Sequence, residues 1–382
     1  MRRSRVTTLA AVALTGALAL AGCAKDTGGG STSPAGGGNQ AESCKKNPVP
    51  AASGTGGATS GTTGPKVDAS ALKVGLAYDI GGRGDASFND SAAAGLDKAK
   101  TDMGLKETKE LTAAPNEPED AKQSRLRQLA QEGFNPIIAV GFAYAKSVQA
   151  VAAQFPNTKF AVVDDDTVTL PNVTGLVFAE EQGSFLVGVA AVYKSKSCRV
   201  GFVGGVNVPL IQKFQAGFEQ GVKAASNDAN VAAEYITPAG DFTGFQDPAK
   251  GNVVANGEIS RGADVIYQAA GASGKGVFEA AKSKNVLAIG VDSDQYNQKT
   301  VENSRDVIIT SMLKRVDVAV YDYVRAVAGN TLSTLPKRFD LKADGVGYAT
   351  SGGKIDDIKA ILDAYKQQII DGKITVSDKP SS

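Results

Sequence analysis

Val200–Ala224 reads VGFVGGVNVPLIQKFQAGFEQGVKA, and two periodicities meet inside it. Val200–Val203 is a continuous apolar run, as expected of a strand buried on both faces. Leu210–Ala224 has the amphipathic spacing of a helix. Working outward, the same alternation repeats. Apolar runs at Val74–Tyr78, Pro136–Val140, Phe160–Val163 and Val173–Phe178 precede it, and Ala232–Ile236, Asp264–Ala269 and Val286–Val291 follow. Helical stretches at Ala121–Gln131, Ser147–Gln154, Phe185–Tyr193 and Gly276–Lys282 lie between them. Buried strands alternating with amphipathic helices predict parallel sheets covered on both faces. There are too many strands for one compact sheet, so two doubly wound lobes are expected. Ligands of such folds bind beyond the carboxyl ends of strands. That rule singles out Asp79, Gly141, the Asp164–Asp165–Asp166 run, Gly271 and Asp292.

Composition narrows the chemistry. The chain has 382 residues, long enough for two domains that each bury a core. Lys and Arg number 41 against 40 Asp and Glu, a balance that argues against a nucleic-acid partner. There is no His. Serine or cysteine nucleophiles paired with His, and His-ligated zinc or haem, are therefore excluded. The three cysteines are too few for a four-cysteine metal site. A binding protein without metal or cofactor is expected in preference to an enzyme.

The N-terminus indicates a compartment. Arg2, Arg3 and Arg5 precede an apolar run from Val6 to Gly22, too short to span a bilayer and ending in small residues. Leu20-Ala21-Gly22-Cys23 has the bacterial lipobox pattern. Residues 1–22 read as a lipoprotein signal peptide and Cys23 as the lipidated residue, which places the protein on the outer face of the cell membrane. Residues 23–70 are rich in Gly, Ser and Thr and read as a flexible linker. Within it, ESCKKNPVP at Glu42–Pro50 carries Cys44. With Cys23 lipidated, Cys44 and Cys198 form an even pair in an oxidising compartment, either bonded to each other or left as two thiols.

Several local patterns carry no function. Gly271–Gly276 (GASGKG) resembles a phosphate loop but lacks the Ser or Thr that holds magnesium. Consecutive carboxylates rarely converge on one ion, so Asp164–Asp166 reads as a solvated strand end. Phe178, Phe202, Phe214 and Phe218 are expected in the core. Lys314, taken alone, reads as a helix-face partner for Asp317, worth about 0.2–0.5 kcal/mol.

Seven stretches stand in order: AYDIGGRGDASFND (77–90), EQGSFLVG (181–188), VGFVGGVNVPLIQKFQAG (200–217), FQDPAKG (245–251), GADVIYQAAGASGKG (262–276), IGVDSDQ (289–295) and SMLKRVDVAVY (311–321). Together they resemble the basic membrane protein family of ABC-transporter substrate-binding lipoproteins, the purine nucleoside receptor-like group. The resemblance implies an α/β chain of the type I periplasmic-binding-protein fold, with two Rossmann-like doubly wound lobes joined by a three-strand hinge. It divides the chain into an N-terminal lobe at 71–179 plus about 307–332, and a C-terminal lobe at 180–306 plus about 333–382. It also implies a monomer that captures nucleosides for an ABC permease and its ATPase, without chemistry on the ligand.

The resemblance carries roles onto particular residues. Asp79 matches the acidic residue that opens the first stretch, and Phe88 and Asn89 match the Phe and Asn of its S-F-N. Phe88 is similar to one of two aromatics that sandwich the base. The second is Phe245, with Phe242 close enough to exchange with it. Asp292 and Lys314 match the residues that grip the ribose, and Gly271 lets the backbone approach the ligand. Gly141–Tyr144 (GFAY) differs from relatives that place a polar base reader there. From the residues alone, two further readings stay open: a same-fold receptor for a sugar or other small metabolite, and a surface sensor or adhesin not coupled to transport.

Overall fold

The computed structural model describes residues 44–51 and 67–381. The signal segment, the lipobox and most of the linker lie outside the described residues. Two sheets organise the chain. The first has five parallel strands in the order β2-β1-β3-β4-β5: β1 Lys73–Tyr78, β2 Glu107–Thr112, β3 Ile137–Ala139, β4 Phe160–Val163 and β5 Val173–Leu176. Helices α1 (Phe88–Met103), α2 (Glu119–Gln131) and α3 (Ala145–Ala152) make its crossovers. Strands β3 and β4 are buried along their whole length, as their unbroken apolar runs require.

The second sheet has six strands in the order β11-β10-β9-β8-β6-β7. These are β6 Arg199–Val206, β7 Asn230–Thr237, β8 Val265–Ala269, β9 Leu287–Asp292, β10 Ile308–Lys314 and β11 Val346–Tyr348. Only the β10–β11 pair is antiparallel. Helices α4 (Glu180–Lys194), α5 (Pro209–Ala225), α6 (Pro248–Ser260), α7 (Gly274–Lys284) and α9 (Lys359–Ile370) accompany it.

The chain passes between the sheets more than once. Beyond β5 it forms a parallel bridge between Phe178 and Phe339 before entering α4. Beyond β10 it enters α8 (Val316–Ala328), which packs on α1 of the first lobe, and then returns to the second sheet as β11. The expected division assigned 307–332 to the first lobe. Helix α8 does pack there, but Ile308–Lys314 is a buried strand of the second sheet, paired with β9 on one side and β11 on the other.

Cys44–Ala51 forms a strap on the second lobe. Cys44 is bonded to Cys198, with Cα atoms 5.1 Å apart. Lys46 Nζ donates to the Val192 carbonyl at 2.6 Å, the Asn47 N–H to the Ala225 carbonyl at 2.8 Å, and Gln368 Nε2 to the Ala51 carbonyl at 2.9 Å. Among the described residues no helix is long and apolar enough to cross a membrane.

Candidate ligand-binding cleft

Both sheets point strand carboxyl ends at one cavity, with about 600 Å³ of empty volume including its solvent-open part. Asp79 follows β1, Gly141 follows β3, Asp164 follows β4 and Gly271 follows β8, while Asp292 and Lys314 end β9 and β10. Asp79, Phe88, Asn89, Phe245, Gly271, Asp292 and Lys314 all line it. Phe242 instead packs edge-on against Phe142, with ring centroids 5.8 Å apart, and it is the Phe142 ring that lines the cavity.

The start of α1 is held by a carboxylate. Asp85 accepts from the backbone N–H groups of Ser87, Asn89 and Asp90 at 2.9, 2.8 and 3.1 Å, an N-terminal cap that fixes Phe88 as the first helical residue. Burial pushes the Asp85 carboxyl up to about 7, against the pull of those bonds. Ser87 Oγ donates to Asp292 Oδ2 at 2.6 Å, Ser293 Oγ to the Ser87 carbonyl at 2.9 Å, and Gln295 Nε2 to the Ala86 carbonyl at 3.0 Å. These three bonds join the mouth of the first lobe to the end of β9 in the second. Asp292 is buried at φ 62°, a left-handed conformation that turns its carboxyl toward the cleft. Burial raises its pKa, while Lys314 and Ser87 oppose the rise.

Lys314 is the cation of the site. Its side chain is 2 % exposed and its Nζ lies 2.6 Å from Asp164 Oδ2 and 3.7 Å from Glu180 Oε1. The rings of Phe88, Phe178 and Phe214 surround it, with centroids 4.9, 5.2 and 5.5 Å away. Burial pulls the ammonium down, but Asp164, Glu180 and Asp292 more than offset it, so the pKa is raised. Behind it, burial lifts Glu180 up to about 7 despite the charge of Lys314.

Asp79 Oδ1 accepts from its neighbour's N–H, Ile80, at 2.8 Å, and burial pushes its carboxyl up to about 6. A Cβ at Gly141 would come within 2.6 Å of Asp79 Oδ2, so glycine there makes room for the carboxylate. Gly271 adopts φ 55°, and a Cβ would lie 3.2 Å from the Phe245 carbonyl.

Three sequence expectations need correction. Asp164 is not a solvated strand end: its side chain is 4 % exposed, because the buried Lys314 needs a counter-charge. Phe214 belongs to the cleft wall as well as the core. Lys314 lies on a strand, and Asp317 pairs with Arg315 instead, at 3.0 Å. The signal that could have found Asp164 and Phe214 was the strand-end rule and the spacing of α5. Both residues were outweighed by the commoner solvated and core readings. No group of His, Cys, Asp and Glu able to hold a metal ion occurs among the described residues.

Two doubly wound sheets that close on one aromatic and carboxylate-lined cleft define a two-lobed solute-binding protein of the type I periplasmic-binding-protein fold. A solute-binding protein from Aeropyrum pernix K1 superposes with a TM-score of 0.69 at 26% identity, over 81% of this chain and 94% of that one. The family model for PnrA-like ABC transporter substrate-binding proteins matches residues 71–379. A CD4+ T-cell-stimulating antigen of Listeria monocytogenes is 37% identical over 321 residues, 80% of this chain and 88% of that protein. The ABC transporter nucleoside-binding protein BmpA of Lactococcus lactis subsp. cremoris is 33% identical over 339 residues, 84% of this chain and 92% of its own. The chain belongs to the PnrA-like family, whose members are substrate-binding proteins of ABC transporters and not enzymes.

Proposed function

We propose that the protein captures purine nucleosides in this cleft and delivers them to a membrane permease driven by an ATPase. A lipid on Cys23 holds it, as a monomer, on the outer face of the cell membrane. The observation that carries the reading is the convergence of Asp79, Phe88, Phe245, Asp292 and Lys314, from distant parts of the chain, on one cavity between two sheets. Phe88 and Phe245 take the flat faces of the base, Asp79 and Asn89 its edge, and Asp292 with Lys314 the ribose hydroxyls. Gly271 brings the backbone close. A ligand touching both lobes favours the closed state by its differential affinity, and closure is the form offered to the permease. A nucleotide is rejected, since its phosphate would meet several carboxylates in a closed cleft.

Calorimetry with adenosine, guanosine, inosine, their free bases and a few sugars tests this. Asp292→Ala removes charge-assisted bonds worth ~1.5–3 kcal/mol each, a roughly tenfold to hundredfold loss for nucleosides and little for bases. Phe88→Ala weakens both alike, because stacking reads the ring. Binding of a sugar with no heat from any nucleoside would overturn the ligand class and leave the fold intact.

A further inference from the structure

The charges that line the cleft do not balance, although Lys122 and Lys213 act from outside on Asp79 and Glu180. Asp79, Asp85, Asp164 and Asp292 line it, against the single ammonium of Lys314. Asp85 is engaged by backbone N–H groups, and one oxygen of Asp164 holds Lys314. The other Asp164 oxygen and Asn89 Oδ1 are both buried without a hydrogen-bond partner. Glu180, directly behind Lys314, has neither oxygen hydrogen-bonded, although Lys314 and Lys213 each lie 3.7 Å from it. The cleft is therefore rich in acceptors and negative charge and poor in donors. Four rings, of Phe88, Phe142, Phe214 and Phe245, line the same space. Aromatic faces carry negative quadrupole density and attract cations, most strongly where water is excluded.

A neutral base stacked here would satisfy the rings and leave the carboxylates uncompensated or protonated, at a cost either way. A base with a formal positive charge meets both features at once. Resting on the nucleoside reading above, we infer that the cleft prefers ribonucleosides with a cationic heteroaromatic base, such as an N-quaternised ring, over neutral ones of the same shape. The ring supplies a counter-charge to Asp79 and Asp292, Asp164 already being paired with Lys314, while the ribose keeps the contacts assigned to Asp292 and Lys314.

The test is calorimetry on the mature chain at pH 8 and low salt. It compares nicotinamide riboside, a pyridinium, with benzamide riboside, its neutral carbon isostere, and runs the neutral purine nucleosides alongside. The expected result is at least about tenfold tighter binding of the cation, ~1.4 kcal/mol. Asp79→Asn and Asp292→Asn should each shrink the cation-to-neutral ratio threefold or more. Comparing the two ligands within one variant cancels any general damage to the cleft, and two variants guard against one that fails to fold. Equal affinities, a neutral isostere that binds better, or a ratio unmoved in both variants would overturn the inference. If neutral purine nucleosides bind in that case, the nucleoside reading stands. Silence from every riboside would overturn both.

Discussion

Glu258, on α6, is fully buried against β6, where a Cβ on Gly201 would come within 1.9 Å of its carboxyl oxygen. The strand carries glycine there to make room for the acid. Burial pushes this carboxyl up to about 9 from an ordinary 4.5. Between those values the folded chain holds a proton that the unfolded chain has released, so this residue lowers stability as pH rises through the window. The slope is at most ~1.4 kcal/mol per pH unit. Glu258→Gln keeps the shape and cannot ionise. Its melting temperature should exceed the parent's by a margin that grows from pH 5 toward pH 9, and a constant or shrinking margin would refute the account. At this scale the sequence was legible only where a rule named the position. Asp79, Gly271 and Asp292 follow from the strand-end rule, and Phe88 and Lys314 needed the family resemblance. The same rule points at Asp164, but no local pattern reveals that a lysine 150 residues away is buried beside it.

Among the elements, those with unbroken apolar runs were the readable ones. Phe160–Val163 matches β4 residue for residue. Strand β2, ETKELT, escaped detection because it is a half-buried edge strand with polar side chains and no apolar signal. Its stability comes from the ladder with β1 and from pairs such as Tyr78 with Glu110 at 2.7 Å. Strand β10 escaped for a different reason, since IITSMLK mixes in polar residues that face Gln295 and Ala349 inside the second lobe. The strap is an element that only pairing can define. Peptide mapping of freshly secreted protein without reductant should find Cys44 joined to Cys198, and two alkylatable thiols would contradict it. Cys44→Ser should cost ~2–4 kcal/mol of stability, read from denaturant unfolding, as expected for a link that closes a long loop.

At the scale of the whole molecule, the two-lobe plan was legible because alternation of strand and helix persists for nearly 300 residues. The route of the chain between lobes was not, because crossings are short and leave no periodic trace. Cys23→Ser should abolish labelling by a radioactive fatty acid and release the protein from the membrane fraction. Unchanged labelling would remove the lipid anchor from the account. The strap adds a mechanical consequence. Its contacts run to Val192, Ala225 and Gln368, all in helices that flank the second sheet, and its covalent link is made just before β6. Any tension arriving along the chain ahead of Cys44 is carried through sulfur into the second lobe, and bypasses the first. The half of the molecule that begins at Lys73 lies outside that load path.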